Sequence, residues 1–180
     1  PWDAPINLSQ SGEAAQPYLF QDGQGRQHLF WLDEFQQATL YTSSNDGRQW
    51  SAPLAITPPF AAAFTAADDA PIAAALTLFT DEAGLAHAFW RDAAAALRYS
   101  TAPITELTDA AAWSTPTLLA EDVPAFAAAT TTTGQLALLY LIVGDDLGSE
   151  AGIYSQISTD EDGWSDPTLL YTTPYFRLVT

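Results

Sequence analysis

"SSNDGRQWSAP", residues 43–53, decides the fold because its tail recurs. Trp2-Asp3-Ala4-Pro5, Trp50-Ser51-Ala52-Pro53, Trp113-Ser114-Thr115-Pro116 and Trp164-Ser165-Asp166-Pro167 all read Trp-x-x-Pro, each followed three residues on by an aliphatic (Leu8, Ile56, Leu119, Leu170). The Trp spacings of 48, 63 and 51 residues are those of a repeat array. A catalytic group is needed once, whereas a device present in every unit belongs to the architecture.

Working back from Trp50, "YLFQDGQGRQHLFWLD" (18–33) lies on "TLFTDEAGLAHAFWRD" (77–92) without a gap. Asp22/Asp81, Gly25/Gly84, His28/His87, Phe30/Phe89, Trp31/Trp90 and Asp33/Asp92 coincide at an offset of 59. A third, more divergent copy runs "ATTTTGQLALLYLIV" (129–143), with Gly134 on Gly84 and Tyr140 in the Trp slot. Each copy continues into a Tyr-containing strand, a turn, and the Trp-x-x-Pro strand. A unit is therefore four short strands, A to D, placed in the first copy at about 18–21, 28–32, 39–43 and 50–56.

Strand B is apolar on both alternating faces, His28, Phe30 and Leu32 on one and Leu29 and Trp31 on the other, so it must be covered on both sides. Four-stranded sheets stacked around an axis do this at a period of roughly 40–60 residues. The expectation is an all-β partial β-propeller of three four-stranded blades plus one strand of each flanking blade. A β-sandwich is the alternative. Residues 1–180 form one array: 1–8 the last strand of a preceding blade, 9–56, 57–120 and 121–173 the three blades, and 174–180 the first strand of a following one. Such an open arc is expected to be completed by another copy or by the rest of a longer chain. The Ala-rich stretches 60–75 and 92–100 are read as non-helical, with a short helical turn at 105–112 capped by Thr105 or Thr108.

Twenty-two acidic residues face five basic ones, all Arg, for a net charge of −17. Nucleic acid and anionic membranes would be repelled, whereas a basic partner would not. The chain has no Cys, and its longest clean apolar run, 136–143, is too short to span a bilayer.

Strand, Gly turn, His-x-x-Trp, Tyr-Ser and Ser-x-Asn-x-Gly-x-x-Trp-Ser-x-Pro together resemble the bacterial neuraminidase (Asp-box, or BNR) repeat of sialidase-like propellers, over essentially the whole chain. Ser43, Asn45, Gly47 and Trp50 fit the box, with Ser44 and Asp46 as the other register. Ser158, Asp160 and Trp164 keep part of it, and before Trp113 an insertion replaces it. In that family the box is structural, its Asp or Asn tying the turn and its Trp packing between sheets.

The resemblance raises sialidase chemistry, in which three Arg clamp a carboxylate, a Tyr helped by Glu is the nucleophile and an Asp is the acid/base. No Arg-Ile-Pro occurs, Arg26 and Arg48 lie in turns on the face away from the family's active site, and Arg91 and Arg98 share one repeat, leaving Arg177. No residue is therefore assigned a catalytic role. His28 and His87, repeated within strand B, read as packed imidazoles. A possible ligand face is the loop side carrying Asp33, Glu34, Phe35, Asp92, Asp145 and Asp146, with Phe60 and Phe64 as either part of it or core plugs. Ser158, Asp160, Asp162 and Asp166 follow a calcium-loop pattern that lacks the closing Glu, which implies weak calcium binding and otherwise no cofactor. The functional expectation is a non-catalytic binding or scaffold module for protein or glycan. The alternative is a fragment of an exo-sialidase or related glycoside hydrolase. Family habit implies an extracellular or cell-surface location.

Overall fold

Apolar strands joined by turns at fixed offsets leave the chain few choices but sequential hairpins, and the computed structural model shows three of them doubled into meanders. It describes residues 4–66, 72–143, 150–159 and 163–172. The first sheet is β1 (Ala14–Gln21), β2 (Gln27–Asp33), β3 (Ala38–Ser44) and β4 (Leu54–Ile56). The second is β5 (Leu76–Thr80), β6 (Leu85–Arg91), β7 (Leu97–Pro103) and β8 (Thr117–Ala120), and the third β9 (Phe126–Thr130), β10 (Leu136–Ile142), β11 (Gly152–Ile157) and β12 (Thr168–Thr172). Each is antiparallel with its strands in chain order.

The β1–β2 turn, like its counterparts in the other sheets, closes on a glycine in the left-handed region: Gly25, Gly84 and Gly134 have φ of 85°, 82° and 83°. Asp22 holds the first of these turns by accepting from the Gln24 and Arg26 amides at 2.9 and 2.8 Å.

First strands meet at the inside of the stack, β1 against β5 and β5 against β9. The Leu78 amide donates to Tyr18 Oη at 2.8 Å and the Gly23 amide to Thr80 Oγ1 at 3.0 Å, so neighbouring sheets are also tied by polar contacts. This is the arrangement of blades about an axis. One core lies between the first and second sheets and a second between the second and third. Strand β6 feeds both: Ala86, Ala88 and Trp90 face the first core and Phe89 the second, which is why its sequence shows no polar alternation.

The outer face of the third sheet exposes Leu139, Ile157 and Tyr171, whereas on the outer face of the first sheet Leu19 is exposed but Trp31 and Leu40 are buried. Residues 4–8, read as the last strand of a preceding blade, form no strand, because no sheet among the described residues offers them a ladder. Residues 174–180 lie outside the described residues.

The Ala-rich connection after β4 departs from expectation. It forms a helix, α1 (Ala61–Ala66), and a 3-10 turn, Ile72–Ala74. Alanine is the best helix former, and a helical turn puts Phe60 and Phe64 on one side to enter the first core. Phe60 is fully buried and meets Phe30, Trp90 and Trp113 edge-on, with centroids 5.5, 6.4 and 5.3 Å away. Residues 92–100 form a turn and the start of β7, as read. The insertion carries two 3-10 turns, Ile104–Glu106 and Ala110–Ala112. Neither Thr105 nor Thr108 caps them. Asp109 caps the second, accepting from the Ala111 amide at 2.8 Å, because its carboxylate reaches two residues forward.

The recurrent tail proves to be a clasp made by its serine. Ser51, Ser114 and Ser165 donate backbone N–H groups to the carbonyls of Ser43, Thr101 and Ile157 at 2.8–2.9 Å. Their hydroxyls accept from the amides of the same three residues at 3.0–3.2 Å. Their own carbonyls accept from Thr42 Oγ1, Ser100 Oγ and Gln156 Nε2 at 2.7–2.8 Å. Replacing Ser51 by Ala removes the acceptor for the buried Ser43 amide and is expected to cost about 1 kcal/mol, read as a shift in denaturant midpoint.

Candidate functional site

The box residues fix the hairpin ends. Asp46, not Asn45, ties its turn: Oδ1 accepts from the Arg48 and Gln49 amides, each at 2.8 Å, and from Ser44 Oγ at 3.1 Å. Those amides hold its carboxyl below the usual carboxylate range. Ser44 Oγ accepts from the Gly47 amide at 2.9 Å, whereas Ser43 Oγ accepts from Arg26 Nη2 at 2.6 Å. The working register is therefore Ser44/Asp46, and Asn45 is exposed. In that register Gly47 follows Asp46 directly, so the loop is one residue short of the box pattern.

The tryptophans reach backwards. Trp113 is buried in the core between the first and second sheets, and Trp164 stands edge-on to Phe89 at 5.7 Å and Tyr99 at 5.3 Å on the second sheet. Trp50, with no earlier sheet among the described residues, is half-buried and donates only to the Gly47 carbonyl at 3.2 Å.

Among the described residues of the loop face, each carboxylate with printed bonds is engaged in its own turn. Asp33 is buried and accepts from the Gln36 amide at 2.8 Å. Asp92 accepts from the Ala94 and Ala96 amides and from Arg98 Nε at 2.7 Å. Burial works against the Asp92 charge, but Arg98 and those amides outweigh it and leave its pKa lowered. Each carboxylate thus closes its own turn. Glu34 is exposed and Phe35 is 80% exposed. Asp145 and Asp146 lie outside the described residues, as do Asp160 and Asp162 of the calcium reading. Of the remaining calcium candidates, Asp166 is exposed and Ser158 Oγ accepts from the Leu136 amide at 2.8 Å.

A stronger constellation is repeated. His28 Nδ1 lies 2.8 Å from Tyr41 Oη and its Nε2 lies 3.2 Å from Asp22 Oδ2; His87 has the same partners in Tyr99 at 2.9 Å and Asp81 at 3.2 Å. A neutral imidazole that donates from Nε2 to the carboxylate and accepts the tyrosine proton at Nδ1 satisfies all three groups. Burial holds both histidines below the ordinary value of 6.5, against the opposing pull of Asp22 and Asp81. The unfolded chain therefore takes up protons first as pH falls through that value. The stability these groups contribute is present above pH 6.5 and is lost as pH falls toward their lower folded values. The denaturant midpoint of the native chain should fall over this range relative to a His28→Gln/His87→Gln variant, whose profile should be flatter.

The two copies differ in what covers them. At the first junction the insertion brings Leu107 and Trp113 into the core and packs Ile104 against it. The side chain of Asp22 is only 6% exposed there. At the second junction the hairpin before Trp164 carries no such insertion, and the Asp81 side chain is 22% exposed. The result is a cleft of about 480 Å³ between the second and third sheets. Asp81, His87 and Tyr99 lie in its lining with Trp164, and Thr101, Ser114, Thr115, Thr117, Ser158 and Thr159 supply hydroxyls. Asp81 also has acceptor capacity to spare. Its Oδ1 takes one amide, Leu85 at 2.8 Å, where Asp22 Oδ1 takes two. A carboxylate, hydroxyls and an aromatic wall are suited to a small polyhydroxylated ligand. Among the described residues, the cleft lining contains no Arg or Lys.

No known protein family matches the chain, and no curated protein matches it. Among solved structures it is similar to a polysaccharide lyase described as an ulvan lyase of a new family, with 13% identity and a TM-score of 0.52, covering 89% of this chain and 40% of that one. It is also similar to the BP39L lectin from Burkholderia pseudomallei, with 19% identity and a TM-score of 0.56, covering 94% of this chain and 46% of that one. The NanB sialidase from Streptococcus pneumoniae aligns over 83% of this chain and 23% of its own, with 16% identity and a TM-score of 0.49, too slight a likeness to argue from. The chain thus spans less than half the length of these structures, and the likeness is one of fold.

Proposed function

We propose that the chain is a non-catalytic glycan-binding module of the sialidase-like, Asp-box propeller type, acting outside the cell or at its surface, and that it holds a neutral saccharide in the cleft between the second and third sheets. The observation that carries this reading is the partly exposed Asp81, beside the Trp164 wall and a ring of hydroxyls, in a cleft whose equivalent one junction earlier is filled in part by Leu107 and Trp113, where the Asp22 side chain is more buried. A carboxylate accepts hydrogen bonds from sugar hydroxyls, and an indole packs against the apolar face of a pyranose ring. The lectin and the lyase of similar fold are, by their names, carbohydrate-binding and carbohydrate-cleaving proteins, which supports the ligand class. An acidic sugar fits less well, since the lining offers no cation and the chain carries −17.

The hydrolase-fragment alternative gains no support from the described arginines. Arg26 is bonded to Ser43, Arg98 to Asp92, and Arg91 Nη1 donates to the Pro124 carbonyl at 2.6 Å and more weakly to Val123. Arg177 lies outside the described residues. The exposed apolar outer face of the third sheet is suited to packing by a further sheet of the array.

A glycan array that pairs neutral with sialylated and uronate-containing glycans tests the reading, alongside a fluorogenic sialoside assay. Neutral glycans should be retained and the sialoside left uncleaved. Selective retention of sialylated glycans, or turnover of the sialoside, would overturn it.

A further inference from the structure

The saccharide cleft does not end at Asp81. A second hollow, of about 430 Å³, opens between the β5–β6 and β9–β10 turns, and Asp81 and Gly134 line both. A Cβ on Gly134 would meet nothing within 4 Å, so the ground between the two hollows is open there. The corresponding turns of the first junction are tied, the Gly23 amide donating to Thr80 Oγ1 at 3.0 Å. Glu82 and Thr130 take those two places in the repeat, and among the described residues no bond joins them.

The second hollow is lined by oxygen acceptors. Thr133 Oγ1 donates to Gln135 Oε1 at 3.3 Å, which leaves Thr131 Oγ1 to donate to Thr133 Oγ1 at 2.8 Å. With both protons committed, the two hydroxyls have lone pairs to offer. Glu82, exposed in the same lining, adds a carboxylate. Among the described residues this lining, like that of the cleft, has no Arg or Lys. A row of acceptors continuing from Asp81 matches a row of O–H donors.

We propose that cleft and hollow form one groove for a linear neutral oligosaccharide, with one sugar held by Asp81 and Trp164 and the next donating hydroxyls to Thr131, Thr133 and Glu82. Both volumes lie within the roughly 300–1,000 Å³ of ligand pockets, so each has room for a sugar of its own. The proposal rests on the saccharide reading and adds the length and direction of the ligand. Another hollow, lined in part by Asp22, Gly23 and Ile104, meets the cleft at Asp81 alone, so the sugar chain runs toward the threonines instead.

The test titrates the intact chain, by ¹⁵N-resolved NMR, with glucose, mannose and galactose and with their β-1,4-linked oligomers of two to four sugars. A monosaccharide should shift the Trp164 indole. Its longer members should also shift the Thr131 and Thr133 amides and bind about tenfold more tightly. Glu82→Gln and, separately, Thr131→Val/Thr133→Val should each reduce that gain to about threefold or less. A Trp164 shift without tighter binding by the longer members, shifts at Gly23 and Gln24 in place of Thr131 and Thr133, or a gain that survives both variants would overturn this proposal and leave the saccharide reading standing. No shift at Trp164 with any member would overturn both.

Discussion

Phe60→Ala is expected to lower the unfolding free energy by about 3–5 kcal/mol, a large part of the roughly 5–15 kcal/mol that holds a domain folded. Phe60 enters the first core ahead of α1 and is the ring on which both neighbouring sheets converge, with Phe30 from the first, Trp90 from the second, and Trp113 from the clasp all within 6.4 Å. Removing it leaves a cavity that cannot collapse without moving two sheets, which puts the cost toward the upper end of the range. Phe35→Ala is the matched control. Its ring is 80% exposed, and its loss should stay within about 0.5 kcal/mol. Denaturant titration of the two variants separates a plug from a ligand-facing aromatic. A small cost at Phe60 would mean that the sheets do not depend on the connection between them.

The second large effect is on binding. Asp81→Asn should weaken saccharide affinity by about 10- to 100-fold, because a hydrogen bond to a charged acceptor contributes roughly 1.5–3 kcal/mol. Sugar affinities near the millimolar range correspond to only about 4 kcal/mol, so such a loss would leave binding barely measurable. The chain supplies its own control in Asp22→Asn, which removes the same charge from the same Asp-His-Tyr constellation where Leu107 and Trp113 close the junction. That variant should lose stability and keep binding. Burial raises the Asp22 pKa, but the His28 hydrogen bond and the Arg26 and Gln24 amides outweigh it, so the net effect is a lowered value. The stability from that carboxylate is therefore present above about pH 3.8 and is lost as pH falls toward its lower folded value.

The first two sheets are legible in the sequence because burial on both faces of strand B forces the same residues into both copies: His28 and His87, Phe30 and Phe89, Trp31 and Trp90. The third is fainter, since β10 fills its side of the second core with Leu136, Leu138 and Tyr140, and aliphatics carry no positional signature of that kind. Alanine hides α1: a residue compatible with strand, turn and helix gives no period to read, and only the pairing of Phe60 with Phe64 hints at a helical turn.

The cleft is the least legible feature. It owes its opening to what the hairpin before Trp164 lacks, a counterpart of Ile104 and Leu107, and a missing cover has no motif. The difference in turn length between residues 100–113 and 158–164 is visible in the sequence, but which junction it seals depends on the backward reach of the tryptophans. Asp33 and Asp92 look like a carboxylate pair because the repeat spaces them so. Their hydrogen bonds show two separate turn closures.

The proposed functional face is the Trp164 cleft rather than the Asp33 loop. The most direct measurement is a ¹⁵N-resolved NMR titration of the chain with neutral monosaccharides to millimolar concentrations. The amides of Thr101, Ser114, Gly134 and Ser158 and the Trp164 indole should shift together and saturate. No shift at these positions, or shifts confined to Glu34, Phe35 and Gln36, would contradict it.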